Sequence, residues 1–270
     1  MKALAYQWMP GAYSHAAALQ VAEKYAIDPS AITWYDHFDD VRSRISDEVY
    51  GVLPIENSYA GTIHINMYRF LSYPYTVRDD VFLPINHCLL ATHTSMDLLE
   101  EVHSHPQALE QCYRFCQENA LRQIVSHDTA GAAKRIVQQN DPTKAAIASS
   151  LAAELYGLQI VQSTIQDNDQ NTTRFFLVGP SRPALQWPKK NRIIVLFSFR
   201  DGQGMLYKCL WSFATNGINL TKIESLPSRQ DPFTYFFRLE CEGSLDDRKL
   251  KAALEELSFF AGEVRVLGAW

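Results

Sequence analysis

Apolar and polar positions fall in blocks along the first two thirds of the chain. Short apolar segments are each followed by a stretch with helical spacing: KALAYQW by YSHAAALQVAEKYA, VYGVLPI by TIHINMYRFLSY, EEVHSH by PQALEQCYRFCQENA, LRQIVSH by TAGAAKRIVQQN, and AAIASS by LAAELYGL. Repeated strand–helix units of this kind predict an α/β domain with a largely parallel sheet. One apolar run, VFLPINHCLLAT over 81–92, is longer and lacks a helical period, and is read as a strand crossing from one lobe to another.

After Gly179 the pattern changes. PSRPALQWPKKN has three prolines and no periodicity, so 181–190 reads as a linker between a first domain over 1–180 and a second over 191–270. In the second, RIIVLFSFR alternates as a strand and GMLYKCLWSFATNG is an amphipathic helix closed by Asn216 and Gly217. Two strands, INLTKIESLPS and FTYFFRLECEG, precede a helix, SLDDRKLKAALEELSFFAG, and a last strand, EVRVLGAW. The order βαββαβ predicts a ferredoxin-like domain.

Composition narrows the function. A 47% hydrophobic content over 270 residues sustains real cores, and a net charge of −5 with both signs interspersed offers no basic stripe for nucleic acid or an anionic membrane. MKALAYQW is interrupted by Pro10 and Gly11 too early for a signal peptide. No apolar run nears the roughly 20 residues that span a bilayer, so a cytoplasmic protein is expected. Five cysteines without a CxxC pair read as reduced thiols. Cys112 and Cys116 share a face with Ala108 and Phe115, which favours packing over metal binding. With no GxGxxG after a strand, GxxxxGK[ST], HExxH or GxSxG, a reaction without metal or cofactor, or plain binding, is expected.

Four junctions share a chemistry: Gly11-Ala12-Tyr13-Ser14, the segment Glu56-Asn57-Ser58-Tyr59-Ala60-Gly61-Thr62, Ser104-His105-Pro106-Gln107, and His127-Asp128-Thr129-Ala130-Gly131. Each sets a small hydroxyl residue where a helix is expected to begin, and helix starts favour anions. Singly, Ser14, Ser58, Ser104 and Thr129 read better as N-caps. Together, at the C-terminal ends of strands, they mark a ligand crevice. NTTRFFLVG adds Arg174 at a sheet edge, a guanidinium suited to grip a carboxylate through two hydrogen bonds. The expected ligand is a small dicarboxylate.

GAYSHAAA, GVLPIENSYAGTI, SHPQALEQC, AAIASSLAAELYGL and NTTRFFLVG, with GINLTKIES further on, resemble the prephenate dehydratase family over nearly the full length. The resemblance implies a two-lobed catalytic domain, similar in plan to periplasmic binding proteins, followed by an ACT domain sensing L-phenylalanine, in dimers or tetramers. It implies decarboxylative dehydration of prephenate to phenylpyruvate in phenylalanine biosynthesis, without a cofactor. Carried over by position, Thr173, Asn57 and Gln111 are the expected catalytic residues. Tyr13, Ser14, Ser58, Gly61, Thr62, Ser104, Thr129, Arg174 and Phe175 are the expected substrate contacts. Gly204, Met205, Leu206, Asn219, Leu220, Glu224 and Ser225 are the expected phenylalanine contacts. Arogenate dehydratase and a non-catalytic sensor are the alternatives. The chain departs from the family pattern at Trp8 and Met9, where the family has Gly-Pro, and at Met205 and Leu226.

Overall fold

Leu4, Ala5 and Tyr6 are successive and all buried, as a strand covered on both faces requires. They form the middle of β1 (Ala3–Gln7), which is followed by α1 (Tyr13–Tyr25), β2 (Ile32–Tyr35), α2 (Phe38–Arg44) and β3 (Val49–Asn57). β1 lies between β2 and β3 and is parallel to both. The pattern does not announce β2 and α2, because ITWY and FDDVRSR are too short to show a period. The structure, a computed structural model, describes residues 1–73, 75–181, 191–200, 202–228 and 235–270, and of residues 69–71 the backbone alone. Beyond Ser181 the linker expected over 181–190 lies outside the described residues.

β4 (Gly61–Thr62) folds back antiparallel on the end of β3. The segment 56–62 is therefore a hairpin rather than a helix start, and α3 (His64–Ser72) begins only after it. The apolar run over 81–92 is two strands, β5 (Tyr75–Pro84) and β6 (Cys88–Ala91), in different sheets, and the crossing lies between them. β7 (Glu101–Ser104), α4 (Pro106–Gln111), α5 (Tyr113–Glu118), β8 (Arg122–Val125), α6 (Thr129–Gln139), β9 (Lys144–Ala148), α7 (Ser150–Tyr156) and β10 (Gln159–Gln162) complete the second lobe. Its sheet runs β10-β6-β9-β7-β8, parallel at β7 and antiparallel at β6. The single helix expected over 106–120 is broken at Cys112, whose ψ of 23° leaves the helical region. Cys112 and Cys116 are both in this lobe's core, as packing residues would be. β11 (Thr172–Pro180) then returns to lie beside β3.

The chain packs as two compact units, one of Met1–Asn66 with Asp80–Leu177, the other of Met67–Asp79 with Val178–Trp270. The second unit contains β12 (Arg192–Ser198), α8 (Met205–Thr215), β13 (Leu220–Pro227), β14 (Tyr235–Glu242), α9 (Arg248–Phe260) and β15 (Glu263–Ala269), the βαββαβ order that the pattern predicts. Its strands lie β13-β14-β12-β15, with Ile193, Val195, Phe197, Phe213, Leu239 and Leu257 in the core beneath. β15 meets β5 at Gly268 opposite Val77, where a Cβ would stand 2.5 Å from the Val77 carbonyl oxygen, so only glycine fits. Among the described residues no helix is long and apolar enough to cross a membrane.

None of the four junction hydroxyls caps a helix. α1 is preceded by Ala12, which offers no side-chain cap, while α4 is capped by His105 and α6 by Asp128. The Asp128 carboxylate accepts from Gly131 N–H at 2.6 Å. Asp128→Ala is expected to cost about 0.5–2 kcal/mol of stability, read by thermal unfolding. An unchanged midpoint would show that α6 needs no cap.

Candidate active site

The end of β3 and the start of β11 meet at a buried polar network. Asn57 closes β3, and its Oδ1 accepts from the backbone N–H groups of Tyr59 and Ala60 at 3.0 and 2.9 Å, the self-capping turn that asparagine favours. Its Nδ2 donates to Asn171 Oδ1 at 2.7 Å and to Thr173 Oγ1 at 2.9 Å. Asn171 Nδ2 donates to Gln111 Oε1 at 3.0 Å. Gln111 Oε1 also lies 2.9 Å from His87 Nε2, and His87 Nδ1 lies 2.9 Å from the Tyr13 hydroxyl. Tyr13 also reaches the Asn86 carbonyl at 2.8 Å. Buried polar groups must be paired, and here they pair with one another across both lobes of the first unit.

Burial dominates the electrostatics. It pushes the His87 imidazole below its ordinary pKa, against a smaller opposing effect of the Gln111 hydrogen bond. It pushes the Tyr13 phenol well up, helped by the nearby Cys88 and Cys112 thiols. Both groups are therefore neutral near pH 7. Gln111 and Asn171 also border a small recess shared with Tyr59, Gln166, Asp167 and Asn168.

The three residues expected to be catalytic, Thr173, Asn57 and Gln111, are thus brought together, with Tyr13 at the far end. Ser58 stands beside them and fastens the hairpin to β11: Thr172 N–H donates to its Oγ at 2.9 Å, and its own N–H donates to the Thr172 carbonyl at 2.8 Å. Gly61 and Thr62 form the short return strand β4. Ser14 is buried in the first turn of α1. The remaining expected contacts go elsewhere. Ser104 is fully buried and its hydroxyl is spent on the Ile147 carbonyl at 2.6 Å. Thr129 opens α6 behind the Asp128 cap, beside a broader recess that includes Met9, Ser126 and Lys134. Phe175 is core.

Arg174 differs most from expectation. Successive side chains on a strand face opposite sides, so Thr173 toward Asn57 turns Arg174 away from it. Its Nε pairs with Asp80 Oδ2 at 3.0 Å, with the Phe82 and Phe176 rings 5.5 and 4.9 Å from the guanidinium. It is a buried latch between β5 and β11 rather than a clamp open to a ligand. In the second unit, Gly204 precedes α8 at φ 70° with Met205 and Leu206 in its first turn. Asn219 and Leu220 lead into β13, where Glu224 and Ser225 also lie, Glu224 beside Arg238.

Two turns hold the lobes' edges. Gly11 has φ 90°, and a Cβ there would meet Ala152 Cα at 3.0 Å. Ser149 and Tyr156 donate to the Gly11 and Pro10 carbonyls, both at 2.6 Å. Trp8, where the related pattern has glycine, takes φ 85°, a conformation that glycine adopts freely and tryptophan only with strain. Its indole lies 5.4 Å from His127 and 6.4 Å from His105. The residues missed from sequence are His87, Asn171 and Asp80. His87 was visible only as a polar residue interrupting an apolar run. Among the described residues no cluster of three or more His, Cys, Asp or Glu is placed to hold a metal ion.

A family model described as prephenate dehydratase matches residues 4–183. Arogenate dehydratase/prephenate dehydratase 2, chloroplastic, of Arabidopsis thaliana is 40% identical over 283 aligned positions, covering 99% of this chain and 72% of that protein. A solved structure described as GqqA, a novel type of quorum quenching acylase, is 32% identical with a TM-score of 0.86, covering 99% of this chain and 97% of its own. The prephenate dehydratase of Arthrobacter aurescens, solved in complex with L-Phe, shares the fold at a TM-score of 0.87 and 23% identity, covering 99% and 90%.

Proposed function

Because the chain belongs to the prephenate dehydratase family, we propose that it converts prephenate to phenylpyruvate, carbon dioxide and water. The bond from the ring to its carboxylate breaks and its electrons enter the ring, which becomes aromatic as the hydroxyl departs. Hydroxide leaves poorly, so the site's task is to supply a proton or strong hydrogen bond to that oxygen. The observation that carries the reading is Thr173, held by Asn57 at 2.9 Å on a rigid strand. Asn57 and Gln111 orient it, and an alcohol this weakly acidic is resupplied with a proton by relay.

Anchoring of the carboxylates is assigned to α1 rather than to Arg174, which Asp80 already engages. α1 has no side-chain cap and no acidic residue in its first turn, so its N–H groups suit an anion, whereas Asp128 fills that role in α6. The domain assignment 1–180, 181–190 and 191–270 is part of the same proposal, with the last an ACT domain. Gly204, Met205, Leu206, Asn219, Leu220, Glu224 and Ser225 are its assigned phenylalanine contacts.

The acylase among the solved relatives gives a second reading, since that likeness spans both chains. Acyl transfer needs a nucleophile whose proton is taken by an adjacent base. Thr173 faces an amide donor instead, which favours dehydration. The deciding assay presents the purified protein with prephenate, arogenate and an N-acyl amide, with and without L-phenylalanine. Phenylpyruvate from prephenate is expected, at a rate that phenylalanine alters. Faster release of phenylalanine from arogenate would assign the substrate to the amino acid, and cleavage of the acyl amide alone would overturn the reading.

A further inference from the structure

The hydrogen-bond network has a direction, and the backbone at one end imposes it. At one end the peptide N–H groups of Tyr59 and Ala60 can only donate, so Asn57 must present its oxygen to them and its NH2 to the other side. One of those two protons goes to Asn171 Oδ1 and the other to Thr173 Oγ1. Asn171, having accepted at its oxygen, must donate from its nitrogen, so the Gln111 atom facing it is an oxygen. An oxygen 2.9 Å from His87 Nε2 demands a proton on that nitrogen. A neutral imidazole protonated at Nε2 is bare at Nδ1, and the single proton of the Tyr13 hydroxyl is shared between that nitrogen at 2.9 Å and the Asn86 carbonyl at 2.8 Å. The His87 main-chain N–H donates to Gln166 Oε1 at 2.9 Å, which anchors the backbone that carries the ring.

We infer that His87 is a positioning residue, held as the Nε2–H tautomer, that closes a one-way chain of hydrogen bonds and thereby fixes Thr173 as an acceptor from Asn57 with its own hydroxyl proton unspent. Among the described residues nothing accepts that proton, so it is free for the departing oxygen of a substrate. The inference rests on Thr173 being the donor group of the proposed dehydration. It adds why the hydroxyl is a donor there: the backbone at 59 and 60 sets a polarity that the Nε2–H of His87 keeps in place through Gln111 and Asn171. Loss of the His87 donor frees the Gln111 amide to turn over, and Asn171 then loses its acceptor. The error propagates to Asn57 and Thr173 without any contact between His87 and the ligand.

The test has two parts. In the unliganded protein, nitrogen NMR of the histidine rings, with His87 assigned by its absence from H87Q, is expected to show a protonated Nε2 and a bare Nδ1. The Nδ1–H tautomer, or a charged ring at pH 7, would overturn the inference whatever the enzyme's substrate is. In the second part, H87L is expected to lower kcat about 10–10²-fold on whichever of prephenate or arogenate the unaltered protein converts, with KM within about threefold. H87Q, which can still donate to Gln111, is expected to recover most of that loss. A folded H87L with kcat within threefold of the parent, or H87Q as poor as H87L, would overturn the positioning role. If the parent converts neither substrate, the functional reading fails while the tautomer measurement still decides the wiring.

Discussion

Thr173→Ala is expected to lower turnover by roughly 10²–10⁴-fold while KM moves by no more than a few-fold. The change removes the hydroxyl that accepts from Asn57, and leaves the helix start at α1 assigned to substrate binding intact. It also strips Asn57 Nδ2 of one acceptor in a buried setting, so a stability loss of about 1–3 kcal/mol should accompany it. The two effects separate cleanly. Steady-state rates at a temperature where the variant is fully folded report the chemistry, and denaturant unfolding reports the stranded amide. Thr173→Ser, which keeps the oxygen, should regain much of the rate. Near-normal turnover in the alanine variant would remove Thr173 from the reaction and take the proposed mechanism with it.

Arg174→Ala is expected to cost about 3–5 kcal/mol of folding stability, the range seen when one partner of a buried ion pair is deleted. Both side chains are almost fully enclosed, at 8% and 3% exposure, and the guanidinium lies against two aromatic rings. Removing it sacrifices packing and cation–π contact, and takes the cation away from a carboxylate that water barely reaches. The double variant with Asp80→Ala should be less destabilised than the sum of its parts, because it removes both members of the buried pair. Urea titration of the four proteins measures the coupling. Unaltered stability with a raised KM would restore Arg174 to the role of a ligand clamp.

That correction shows what was legible in the sequence and what was not. NTTRFFLVG reads correctly as a strand, and the βαββαβ order of the second unit follows from local periodicity alone. The period-two rule that identifies β11 also places Thr173 and Arg174 on opposite faces, but the buried partner Asp80 lies 94 positions away and carries no local mark. The helix starts differ from the expectation for a related reason. Serine and threonine fit a cap by propensity, yet the caps are Ala12, His105 and Asp128, because Ser104 is drawn into the sheet by the Ile147 carbonyl and Ser58 belongs to a hairpin. His87 could not be found from its neighbours, since both of its ring partners, Tyr13 and Gln111, come from other segments. Asn171 sat in plain view beside Thr173, but its importance depends on which way its amide faces.

The hydrogen bond from Asn57 to Thr173 joins residues 116 positions apart, and β11 reaches β3 only after the whole second lobe has been laid down between them. A chain emerging from the ribosome therefore cannot close the Asn57–Thr173 contact until residue 173 is clear. Contacts this distant in sequence slow folding, because loop-closure entropy must be met before they stabilise anything. On the proposed mechanism, chains that end before residue 173 are expected to be inert toward the substrate, and activity to appear as one late event rather than building up along the chain.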